Sequence, residues 1–135
     1  MSAMTDYLEK KLLDHTLGIT AYTKPTISYT ALFTADPTDT GSHTAEVSTS
    51  STGYARQAAT ASMNATNATT GLSDNSTAIT HGPASADWGT ITHISIEDAS
   101  TAGNMLLKGA ATASRTIQTG DSYQLATGQL AITFA

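Results

Sequence analysis

The stretch spanning residues 86–99 constrains the fold more than any other part of the chain, because it carries the only tryptophan, Trp88, and the clearest β-run. Successive side chains of an extended strand point to opposite faces. Thr92, Ile94 and Ile96 therefore share one face, and Ile91, His93 and Ser95 share the other. Mixed occupancy of both faces predicts a strand covered on its two sides, at the centre of a sheet. A Gly-containing turn over residues 98–104 and a second β-rich run over residues 105–111 predict an antiparallel hairpin that forms the core.

The remainder of the chain is punctuated by turn formers. Thr5 followed by Asp6 reads as a helix N-cap with an acidic first turn, and Gly18 as the stop. Between them Leu8, Leu12, Leu13 and Leu17 spread over a broad face, leaving Glu9, Lys10, Lys11 and Asp14 to solvent. One reading packs this helical segment, residues 1–18, on its own domain. The other docks it on a neighbouring subunit, which makes Leu8, Leu12 and Leu13 candidate interface residues.

A strand is predicted over residues 27–34, followed by a loop over residues 35–42 rich in Asp, Pro and Gly. Its Asp36 and Asp39 do not fit a calcium loop, since the acidic residue required at position 12 falls on Val47. Residues 44–47 and 54–59 read as two strands joined by a turn. Arg56, an isolated cation beside Tyr54, reads as a structural or interface hydrogen-bond donor. Residues 61–77 lack periodicity and predict an irregular excursion.

Further strands are expected at residues 77–80, broken at His81-Gly82-Pro83, and at 114–117 and 122–125 around a tight turn; Leu130, Ile132 and Phe134 alternate in a last strand. About eight short strands after one N-terminal helix predict a mainly β, β-sandwich or jelly-roll-like fold. At 135 residues this fits one domain, with the β-part at residues 26–135.

Composition excludes several functions. A net charge of −5 with six Lys plus Arg argues against a nucleic-acid module, which needs clustered cations. Zero cysteines remove disulfides and thiolate chemistry. No apolar run approaches the roughly 20 residues needed to span a bilayer, and charges near the N-terminus do not suit a signal peptide. The expectation is a protein that stays in the cytosol or leaves inside a larger particle, without membrane contact.

The four histidines, at 15, 43, 81 and 93, lack ligand spacing, so neither metal nor cofactor is expected. Gly120-Asp121-Ser122 reads as a turn, and no nucleophile elbow or phosphate loop occurs. Asp87 and Glu97 lie at opposite ends of one strand, roughly 30 Å apart if extended, too far to flank a glycosidic bond. The chain is not expected to be an enzyme.

The run over residues 29–37, with Gly41-Ser42 and Gly53-Tyr54-Ala55-Arg56-Gln57, resembles a family of small virion structural proteins of tailed bacteriophages and prophages. So do Ala86-Asp87-Trp88-Gly89-Thr90-Ile91-Thr92-His93, Gly103-Asn104-Met105-Leu106-Leu107, Gly109-Ala110, Thr119-Gly120-Asp121 and, near the N-terminus, Leu12-Leu13-Asp14-His15. Members are often labelled tail fibre protein, and some resemble head decoration proteins. The chain departs from that pattern in the Asn/Thr-rich residues 61–77 and in lacking an acidic residue after the last strand.

The resemblance implies a non-enzymatic component of a virion, made in the cytoplasm of a host bacterium. The first expectation is a capsid decoration (cement) protein that binds the major capsid protein; the alternative is a tail-fibre or tail-tip subunit. Either implies other phage structural proteins and further copies of the chain as partners. Arg56, and His93 on the second face of the central strand, join the helix residues as candidate contacts.

Overall fold

The computed structural model describes residues 3–134, so residues 1, 2 and 135, at the ends of the expected helical segment and β-part, lie outside the described residues. The described residues are mainly β, with one α-helix and nine strands among them: β1 (Ala3–Met4), α1 (Asp6–Thr16), β2 (Tyr29–Phe33), β3 (Gln57–Ala58), β4 (Leu72–Asp74), β5 (Ile79–His81), β6 (Gly89–Glu97), β7 (Met105–Ile117), β8 (Tyr123–Leu125) and β9 (Ala131–Thr133).

Helix α1 begins where the cap signal placed it. The Thr5 hydroxyl accepts the Leu8 N–H at 3.5 Å and donates to the Met105 carbonyl at 2.6 Å, so one buried side chain caps the helix and ties it to β7. Asp6 and Glu9 complement the positive end of the helix dipole. At the other end Gly18, at φ +71°, turns the chain out while its N–H reaches the His15 carbonyl.

The main sheet has the order β1-β7-β6-β2-β3 with every pairing antiparallel, and the β6–β7 hairpin lies at its centre as expected. Runs 105–111 and 114–117, expected as two strands, form one. Ile91 pairs with Arg115 and His93 with Ala110, so residues 111–114 stand opposite Thr92 alone. The extra residues lie on β7, which is the bulged strand. Ile91, expected across the sheet from Ile94 and Ile96, joins them in one apolar cluster.

That cluster gathers Leu32, Tyr54, Trp88 and Leu107 around the main sheet with Ile79 and Leu125 from the β5–β8 pair, Leu130, and the half-buried Ile132 of the β4–β9 pair. The two small sheets thus cover one face of the large one, giving the layered arrangement of a β-sandwich. The opposite face carries a smaller cluster of Ala31, Phe33 and Met105. Each buried Ile, Leu or Phe contributes about 1.5–3 kcal/mol, and the hairpin is buried on both faces only near its turn, at residues 94–97 and 105–107.

Three expectations are corrected. Residues 44–47 form no strand: the chain turns back as the Glu46 N–H meets the His43 carbonyl, leaving one bridge, Phe33 to Glu46. Within the irregular segment, residues 72–74 pair with β9, and Asn75 is fully buried. Its amide oxygen accepts the Leu130 N–H at 2.9 Å while its nitrogen donates to the Thr77, Leu125 and Ala126 carbonyls. His81, expected to break a strand, instead ends β5 in the interior.

The His81 ring stacks on Tyr54 with centroids 6.0 Å apart. Its Nδ1–H donates to the Ala55 carbonyl at 3.2 Å, leaving Nε2 to accept the Thr30 hydroxyl at 2.9 Å. Burial pushes its pKa down to about 4, against the opposing pull of the Ala55 bond. An unfolded histidine titrates near 6.5. Between those values the unfolded chain binds a proton that the native chain refuses, so this stabilisation is complete above about pH 6.5 and falls as pH drops, by roughly 3 kcal/mol near pH 4. The urea midpoint should fall between pH 7 and pH 4.5 more steeply for the wild type than for His81→Gln; equal slopes would contradict this.

Candidate assembly surface

The polar interior decides which side chains remain free for a partner. Glu97 ends β6 and is fully buried. Its carboxylate accepts the Ser95 hydroxyl and, at 2.8 Å, His43 Nε2–H, with Arg56 Nη1 3.6 Å away. Arg56 grips Glu46 through two bonds of 2.7 Å, from Nε and Nη2, a fork geometry that adds both strength and orientation. Its Nη1 donates to the carbonyls of Ala99 at 3.0 Å and Ala102 at 2.8 Å, in the turn joining β6 to β7.

Tyr54 completes the network by donating to Glu46 Oε1 at 3.1 Å and accepting the Leu32 N–H at 3.0 Å. Burial first, and the neighbouring Glu46 charge second, push its phenol pKa above the ordinary value. Burial opposes the Arg56 cation, yet the Glu46 bond and the Glu97 and Glu46 charges outweigh it and hold its pKa above the usual guanidinium value. A shallow cavity of ≈ 330 Å³ opens over the network, lined by His43, Glu46, Arg56 and residues 100–102. The charged side chains beneath it are engaged with one another. Among the described residues no group of three or more His, Cys, Asp or Glu converges to hold a metal ion.

The apolar surface lies elsewhere. Leu8 points into the core and Leu12 is half-buried against it, so α1 is anchored by that side. Leu13 and Leu17, one turn apart, face outward, flanked by the Lys10–Asp14 ion pair. Ile19 and Ile27 follow in the connector to β2, and these four side chains are between 43% and 67% exposed. Phe134 is the fifth large hydrophobic so exposed among the described residues. The first four all fall within residues 13–27.

Of the five candidate contacts read from the sequence, Leu13 alone lies in this exposed group. Leu8 is buried, Leu12 is half-buried, and the Arg56 guanidinium is engaged internally. His93 is half-buried in β6 between Phe33 and Ala110, with Nδ1 2.9 Å from the Thr92 hydroxyl. Leu17, Ile19 and Ile27 belong to the surface without having been singled out. Leu17 carried a signal in its four-residue spacing from Leu13; Ile27, at the edge of a predicted strand, carried none.

A family model described as podophage GP4 fiber I protein gp80 matches residues 3–133 of the chain. No curated protein matches it.

Removing Arg56 would leave Glu97 and Glu46 without their shared cation. Breaking a buried pair from one side costs about 3–5 kcal/mol. Arg56→Ala should therefore lower the unfolding free energy of the isolated chain by that order in a denaturant titration, and Arg56→Lys should recover only part, since an ammonium cannot reproduce the fork. A loss below about 1 kcal/mol would make Arg56 a surface group rather than a structural one.

Proposed function

The chain belongs to the podophage fiber family whose model spans its residues 3–133, and from that premise we propose that it is a non-enzymatic structural subunit of a phage fibre, assembled through the outward face of α1 and the connector after it. The family match carries this reading. Its description fits the tail-fibre alternative, and nothing in it favours the capsid-decoration expectation. The internal pairing of Arg56, Glu46, Glu97 and His43 supports a structural role, because acid–base and nucleophilic catalysis both need side chains open to a substrate.

Assembly supplies what the fold lacks. Apolar side chains buried only in the assembled state stabilise that state by mass action, and two leucines contribute about 1.5–3 kcal/mol each if fully covered. The partners on this reading are other phage structural proteins and further copies of the chain. His93 carries no part of it.

The test is a phage bearing Leu13→Asp together with Leu17→Asp. Since both side chains are exposed, the isolated variant should keep its far-ultraviolet circular dichroism and melt within a few degrees of wild type. Its content in purified particles should fall roughly tenfold or more. Wild-type incorporation would remove α1 from the assembly surface, and antibody label on the head shell, with none on fibres, would overturn the fibre reading.

A further inference from the structure

The outer half of β7 walls a second cavity, of ≈ 210 Å³, closed on its other side by β8 and Gln129. Residues 111–114 have no partners of their own on β6, so the strand departs from the ladder there, and Ala111, Thr112 and Ala113 line the cavity. Their small side chains leave the space open.

Two polar groups in this lining have unused hydrogen-bonding capacity. None of the ion pairs among the described residues involves Arg115, and its guanidinium donates no hydrogen bond to them. Its guanidinium carbon lies 5.9 Å from the centroid of the Tyr123 ring. Tyr123 is only 6% exposed, yet its hydroxyl has no hydrogen-bond partner among the described residues. A phenol set so deeply usually finds one. No fully enclosed side-chain oxygen or nitrogen among the described residues goes unpartnered, so the Tyr123 hydroxyl is the part of that residue open to water, and it opens into the cavity.

The remaining polar lining is uncharged. Thr112 carries a hydroxyl, the Gln124 amide nitrogen donates to the Thr80 hydroxyl at 3.2 Å, and the Gln129 amide oxygen accepts the Ala126 N–H at 2.8 Å. That last bond leaves the Gln129 amide nitrogen as a further donor. No acidic side chain lines the cavity, although the chain carries a net charge of −5. Burial holds the Tyr123 phenol above its ordinary pKa against the pull of the Arg115 cation, so at neutral pH the hydroxyl is protonated and donates.

One cation, a phenolic donor and a wall of alanines with Leu125 suit a monoanion that has an apolar part. A planar guanidinium meets a carboxylate through two parallel bonds. The volume falls below the roughly 300–1,000 Å³ of sites for drug-sized ligands, which limits the guest to a small acid or a single acidic side chain. We propose that the cavity between β7 and β8 binds a carboxylate: Arg115 pairs with it, the Tyr123 hydroxyl donates to one of its oxygens, and Ala111, Ala113 and Leu125 receive its apolar part. The carboxylate belongs either to a free short-chain acid or to an aspartate or glutamate of a neighbouring copy. This site shares no residue with the outward face of α1 and does not depend on it.

The test titrates the full chain with sodium propionate at constant ionic strength, balanced with sodium chloride, and uses propionamide as the uncharged control. Nitrogen-15 NMR should show the amides of residues 111–115 and 123–125 shifting along saturating curves with propionate alone. Arg115→Gln should weaken binding roughly tenfold or more, and Tyr123→Phe, which keeps the ring, roughly threefold or more. Both variants should retain the wild-type circular dichroism, since Arg115 is exposed and Phe fills the same space. Sedimentation velocity separates the two sources: a monomer that binds propionate takes a free acid, whereas an oligomer that propionate dissociates takes a neighbour's carboxylate. Shifts that fail to saturate, shifts equally large with propionamide, or an affinity unchanged in Arg115→Gln would overturn the site.

Discussion

A carboxylate buried without exposure at the end of the central strand is the constraint on which the rest of the structure turns. Glu97 cannot remain there unpaired, since an isolated charge in the interior is far too costly. Three separate segments meet that demand: His43 from the loop after β2, Arg56 from the approach to β3, and Ser95 from β6 itself. Arg56 in turn needs Glu46 and the carbonyls of Ala99 and Ala102. One buried charge thereby fixes the β6–β7 turn, the 42–47 loop and the β3 approach relative to one another.

The rigidity so produced explains where the chain can and cannot engage a partner. Side chains that carry charge inside are satisfied inside. At the surface Lys108 lies against the exposed Asp36 and Asp39 at 2.9 and 3.4 Å, linking the 36–42 turn to β7. The apolar material outside this body concentrates on the outer side of α1 and in the connector to β2. The chain belongs to a family described as podophage fibre proteins, and the proposed assembly contact lies on this exposed apolar stretch.

What was legible in the sequence followed from local pattern. Thr5, Asp6 and Gly18 announced the helix ends, Ile94 and Ile96 announced β6, and the turn before Met105 announced the hairpin, because caps, alternation and turns depend on near neighbours. What stayed hidden depended on distant ones. Nothing adjacent to Asn75 signals that its amide will bond three carbonyls and the Leu130 N–H. Likewise the irregularity opposite Thr92 arises from pairing with a strand about twenty residues away, and the sequence alternation did not show that Ile91 shares a cluster with Ile94 and Ile96. The helix showed four leucines but not which would face out, since that is set by where β7 lies.

On the proposed function, the end of α1 and its connector are buried when the particle assembles. Amide hydrogen exchange, compared between the isolated chain at low concentration and purified fibres, tests it most directly. Amides of residues 17–27 should slow at least tenfold on assembly while those at the centre of β6 change little. Equal exchange over residues 17–27 in the two samples would contradict it.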